Sequence, residues 1–145
     1  MQNEKLLSGE YRGRNYKIRV MCYRKTPSVQ VELIPPHGGE AITITQNLGG
    51  RMPLYQCVLA DGILGPDDGG FMDFMEANGL GYIADYKWYD RNVVTGQPRR
   101  LAAVFQFDAR RLRVLDPAGC KQYEKHNDKL LRRLFEMKNL EKLAG

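Results

Sequence analysis

The sequence predicts an α+β domain, with an antiparallel sheet of about five strands, one short helix inserted among them and a C-terminal helical segment. Tyr16, Ile18, Val20 and Cys22 alternate with Lys17, Arg19, Met21 and Tyr23, which is the two-residue period of a half-buried strand. Leu101, Ala103, Phe105 and Phe107 repeat that period much later in the chain. Beyond them Leu130, Leu134 and Met137 fall at i, i+4 and i+7, the spacing of one helix face.

The remaining elements fit around these. Val29, Val31 and Leu33 resume the alternation after the turn-like Lys25-Thr26-Pro27-Ser28, so the first two strands form a hairpin. Pro35-Pro36-His37-Gly38-Gly39 ends the second strand, because two prolines cannot donate to a ladder. A third strand follows at Ala41–Thr45 and a short one at Leu54–Ala60. Asp61 to Gly70 is too rich in breakers to be regular. Asp67 or Asp68 then caps a helix whose Phe71, Phe74 and Met75 share a face, and Asn78-Gly79 stops it. Tyr82–Val93 and Leu101–Phe107 make a second hairpin around Thr95-Gly96-Gln97-Pro98. Asp108 caps a helical turn through Leu115, and Asp116-Pro117 opens a final helix with a break expected near His126-Asn127-Asp128.

A chain of 145 residues fits one domain, residues 1–145, and 43% hydrophobic with 27% charged residues excludes a disordered class. Cys22, Cys57 and Cys120 are odd in number and lack the paired spacing of a zinc site or disulfide framework, which predicts a reducing compartment. The opening Met1 to Leu7 lacks a signal-peptide core and no apolar run is long enough for a bilayer, so cytoplasm is the expected location, with no membrane partner. Charge is placed unevenly. Residues 1–108 hold 12 Lys and Arg against 12 Asp and Glu, whereas 109–145 hold 10 against 5, so the net +5 lies in the last quarter. Such asymmetry points to an acidic partner or to a solvated helix face.

Catalytic patterns are weak. His37 sits in a Pro/Gly turn and His126 in a charged helical stretch, with no nucleophile or carboxylate beside them in sequence. Asp61, Asp67, Asp68 and Asp73 do not follow a metal-binding spacing and read as loop and cap residues. Cys57 precedes an apolar run and reads as buried, and Cys120 lies near a helix start, where the dipole would lower its pKa. Gly62 to Gly70 matches neither phosphate-binding glycine pattern. No cofactor and no metal are expected. Tyr82, Tyr86, Trp88 and Tyr89 beside Lys87 and Arg91 resemble stacking platforms for single-stranded nucleic acid, although alternation assigns half of these rings to the core. Tyr82, Tyr86 and Trp88 are expected on one side of their strand.

Three segments carry a resemblance: Gly39 to Leu48, Phe71 to Gly81, and Phe105-Gln106-Phe107-Asp108 through Asp116-Pro117-Ala118-Gly119. Together they are similar to a family of small proteins, without assigned functional residues, encoded on plasmids, conjugative elements and phages of gut Firmicutes. The similarity spans about residues 16–124. It implies a setting, since accessory proteins of mobile elements often bind stoichiometrically, including as inhibitors of host defence nucleases such as CRISPR–Cas or restriction enzymes.

The expected function is therefore a non-enzymatic binding protein. Its basic amphipathic tail, about residues 117–143, would meet nucleic acid or a nucleoprotein through Lys129, Arg132, Arg133, Lys138 and Lys142. The alternative is a protein-interaction or homo-oligomerisation module using Leu130, Leu131, Leu134 and Met137. Tyr86, Trp88 and Tyr89 are additional aromatic contact candidates, and a small enzyme is the remote third reading.

Overall fold

The computed structural model describes residues 6–24, 26, 28–48, 52–61, 63–64, 70–89 and 100–144, with the backbone alone at residues 100, 134 and 138–144. In chain order the elements are β1 (Lys17–Cys22), β2 (Val29–Ile34), β3 (Ile42–Thr43), β4 (Thr45–Gln46), β5 (Gln56–Leu59), α1 (Phe71–Ala77), β6 (Gly81–Tyr89), β7 (Arg100–Phe107), α2 (Ala109–Leu115) and α3 (Pro117–Ala144). The α+β class, the antiparallel pairing, the inserted helix and the C-terminal helix are those expected.

The strands are shared between two sheets, one of three strands in the order β1-β2-β3 and one of four in the order β4-β5-β7-β6. The division falls inside the single strand expected over Ala41–Thr45. The Ile44 N–H donates to Val31 O in the first sheet at 3.0 Å, and the Ile44 carbonyl accepts from Ala60 N, just past β5, at 2.9 Å. One residue thus ends one ladder and begins the other, the bend by which strands change sheets at a corner. Thr45 secures the bend, since its Oγ1 accepts from Val31 N and lies 3.0 Å from the Tyr23 hydroxyl.

A continuous core joins both sheets to the helices. Val20, Val31 and Leu33 of the first sheet, Ile44 at the corner, Cys57 and Phe105 of the second, Met75 of α1, Leu112 of α2 and Tyr123 of α3 belong to one cluster of buried side chains. Alternation explains these strands: β2 buries Val29, Val31 and Leu33 and leaves Gln30, Glu32 and Ile34 half-buried.

Helix ends follow local chemistry with two corrections. The residue capping α1 is Gly70, at φ 88° and with no side-chain bond, and the expected Asp67 and Asp68 lie outside the described residues. At the other end Gly79 takes φ 63°, Gly79 N donates to Glu76 O and Leu80 N to Met75 O. This double closure needs a left-handed residue after the cap, which glycine supplies without strain. Asp108 caps α2 as expected, accepting from Arg111 N at 3.0 Å. The break expected near His126-Asn127-Asp128 is absent, because α3 runs unbroken across it. Nothing there forbids helix: no proline or glycine intervenes, Asn127 is buried and Asp128 pairs with Arg132 one turn on at 3.1 Å. The turn expected at residues 95–98 and the strand continuation past Tyr89 lie outside the described residues.

Candidate functional site

The basic C-terminal helix divides into an anchored half and an overhang. Asp116 fixes its start. Asp116 Oδ1 accepts from Gly119 N at 3.1 Å and Oδ2 from Val20 N in β1 at 2.8 Å, so one carboxylate caps the helix and holds it to the edge of the first sheet. Any Cβ at Gly119 would collide with Val20 O and the Asp116 carboxylate, which explains a glycine inside a helix where it otherwise costs about 1 kcal/mol. One turn on, Cys120 and Tyr123 are buried.

Tyr55, Arg113 and Glu124 complete the anchor. Tyr55 adopts φ 60°, unusual for a residue with a Cβ, and its conformation is held from α3. The Tyr123 hydroxyl accepts from Tyr55 N at 3.0 Å, the Tyr55 hydroxyl donates to Glu124 Oε2 at 2.7 Å, and the two rings meet edge-on at 4.9 Å. Arg113 grips the same carboxylate through Nε at 3.1 Å and a terminal nitrogen at 2.8 Å, with its guanidinium 5.7 Å from the centre of the Tyr55 ring. Arg113 hydrogen bonding holds the Glu124 carboxyl below its ordinary pKa. Burial, reinforced by Cys120 and Glu124, pushes the Tyr55 hydroxyl far above its ordinary range. These groups are therefore ionised where they should pair and neutral where they are enclosed, which is the signature of a structural lock.

Past Asn127 the helix leaves the core. Leu130 and Leu131 are half-buried, Lys129, Arg132 and Arg133 are exposed, and Phe135 and Met137 are 66% and 59% exposed. The side chains of Leu134, Lys138 and Lys142 lie outside the described residues. The cations do not form one stripe. Lys138 follows Arg132 by six residues, about 240° around a helix axis, so these two positions fall on different faces of the helix. Arg132 also shares its charge with Asp128 at 3.1 Å. Phe135, which the spacing analysis left aside, is exposed on this segment, and its position four residues after Leu131 was the available signal.

The aromatic candidates on β6 are placed differently from expectation. Tyr82, Tyr86 and Trp88 are 62%, 55% and 57% exposed and Tyr89 is half-buried, so none belongs to the core. They do not share one side either. A register shift between Ile83 and Asp85 sets Tyr82 opposite Gln106, but Tyr86 opposite Ala103 and Trp88 opposite Leu101. Ala84 is the extra residue of a bulge, and a bulge moves every later side chain to the other face.

Elsewhere the expected chemistry stays dispersed. Burial pushes the Cys57 thiol up to about 11. Burial also raises Cys120, against the helix-start lowering expected for it: the thiol is enclosed beside Tyr55, and desolvation outweighs the dipole. His37 lines a cleft of about 270 Å³ with Arg14, Asn15, Pro35, Pro36 and Gly38, while His126 is half-buried on α3. Asp61 accepts from Gln46 Nε2 at 2.9 Å and Asp73 lies in the first turn of α1. Among the described residues no three His, Cys, Asp or Glu gather as metal ligands, and no helix is long and apolar enough to cross a membrane. No protein-family model, curated protein or solved structure matches the chain.

Proposed function

We propose that the chain is a non-enzymatic binding protein that presents the overhanging half of α3 to an acidic partner, foremost nucleic acid or a nucleoprotein. The supporting observation is the overhang itself. A helix rigidly locked to the domain at Asp116, Tyr123 and Glu124 carries Lys129, Arg132 and Arg133 into solvent beyond it. Cations on such an arm reach phosphates without displacing the core, and phosphate contacts give affinity without base specificity. The resemblance to mobile-element proteins supports, as one setting for such binding, the inhibition of a host defence nuclease such as CRISPR–Cas. A cytoplasmic setting accords with three free cysteines, two of them buried.

The test is affinity for a labelled single strand, a duplex and a folded RNA at two salt concentrations. Log affinity should fall with log salt by about 0.7–0.9 per phosphate contact, and the triple variant Arg132→Ala, Arg133→Ala, Lys138→Ala should bind more weakly with a shallower slope. No binding to any of the three at about 50 mM salt rejects the reading.

Exposure of Phe135 and Met137 favours a second reading, a protein-interaction helix, since aromatic and Met side chains are enriched at interfaces. Leu130, Leu131 and Leu134 would extend that surface. If the helix drives self-association, Met137→Glu should reduce a larger species to monomer by light scattering without unfolding it.

A further inference from the structure

The second sheet ends on β6, and among the described residues no strand pairs with its outer edge. β6 is nine residues long, contains no proline, and is exposed at Tyr82 and from Ala84 to Trp88. An edge of this length presents unpaired backbone groups to any strand that can align with it unless something blunts it. Two features bear on that here. One is the bulge at Ala84. The other is Asp85, whose Oδ1 accepts from the Tyr86 N–H at 2.8 Å, so that a carboxylate occupies a donor that a neighbouring strand could use.

The charges around that donor have a symmetry of their own. Asp85 and Lys87 flank Tyr86, carry opposite signs and lie two residues apart, opposite Val104 and Ala102 on one face of the sheet. Antiparallel pairing of β6 with itself about a two-fold axis at Tyr86 sets Asp85 of each copy against Lys87 of the other. Ala84 then faces Trp88, small against large. Shifting the axis to Asp85 sets carboxylate against carboxylate, and shifting it to Lys87 sets ammonium against ammonium, both unfavourable. The charge pattern therefore complements itself in one register.

We propose that β6 is a self-association edge, through which two copies of this chain join their four-stranded sheets antiparallel, centred on Tyr86. In the joined state Asp85 turns from the Tyr86 N–H to Lys87 of the second copy, and the freed N–H becomes available to the second copy's backbone. The contact is isologous and closes as a dimer, because each edge is consumed by the other. It does not depend on α3 or on what α3 binds.

Sedimentation velocity on the full chain, from about 5 to about 500 μM, tests this. The wild type should pass from monomer to dimer across the range. Asp85→Lys alone and Lys87→Asp alone should each weaken association by about tenfold or more, since two facing pairs turn from opposite to like charge. The double exchange, Asp85→Lys with Lys87→Asp, should restore it. Both side chains are exposed, so all three variants should give the wild-type circular dichroism spectrum. A wild type monomeric throughout overturns the proposal. So does a dimer indifferent to either single exchange, or one weakened by both and not recovered in the double. A dimer lost in Met137→Glu but unchanged in the Asp85 and Lys87 variants would move the interface to the helix.

Discussion

The two halves of α3 belong to one unbroken helix and have opposite circumstances. From Pro117 to Asn127 the helix buries Cys120, Tyr123 and Asn127, and its Glu124 binds both Tyr55 and Arg113. From Asp128 onward no described side chain of the helix is buried. A continuous helix therefore serves as a structural member in its first three turns and as a projecting arm thereafter. The lesson concerns charge: Lys121 and Lys125 are exposed on the anchored half just as Lys129, Arg132 and Arg133 are on the arm, but only along the arm are they accompanied by no buried side chain of the helix among the described residues. Arg113, by contrast, is committed to Glu124 before any partner arrives.

Substituting the large side chains separates the halves most sharply. Tyr123→Ala removes a fully buried ring and the acceptor of Tyr55 N, and should cost about 3–5 kcal/mol. Phe135→Ala should stay within about 0.5 kcal/mol. Urea denaturation measures both, and equal costs would break the distinction between anchor and arm.

Glu124→Gln tests the lock more gently and should cost about 1–2 kcal/mol near neutral pH, since the pair with Arg113 is partly exposed. Its dependence on pH follows from the lowered pKa of Glu124. A depressed carboxyl contributes stability that is fully present above its unfolded pKa of about 4.3 and is lost as pH falls through the folded value. Thermal midpoints of wild type and variant should accordingly differ at pH 6–7 and converge below about pH 4. A gap that persists in acid would mean that Glu124 acts through packing alone.

Ending the chain after Asp128 should cost no more than Glu124→Gln. The truncated protein loses the half-buried Leu130 and Leu131 but keeps the whole anchor, so it should unfold in one cooperative transition lowered by about 2–6 °C. Loss of cooperativity would show that the arm belongs to the core.

Several elements were legible because their causes are local. Alternation in β1, β2 and β7, the Asp108 cap and the Asn78-Gly79 stop all depend on residues within a few positions of one another. The candidate cations and leucines of the tail were legible in the same way. What escaped was a matter of context. The bulge at Ala84 has no composition of its own, yet it reverses the faces of Tyr86 and Trp88 relative to Tyr82. The expected break near Asn127 failed because a polar residue was read as a helix end when it is in fact buried.

By itself the sequence determined the fold class, the sign and position of the excess charge, and the helical character of the tail, because these follow from local spacing and residue counting. Only the tertiary structure decided where the tail stops being core. That boundary is set by contacts between residues far apart in the chain, Val20 with Asp116 and Tyr55 with Tyr123 and Glu124. The split at Ile44 is likewise decided by Val31 and Ala60, which claim the N–H and the carbonyl of one residue. Such partners are chosen by how the folded chain brings buried backbone donors and acceptors together, since each must be satisfied somewhere, and local pattern carries no record of that choice.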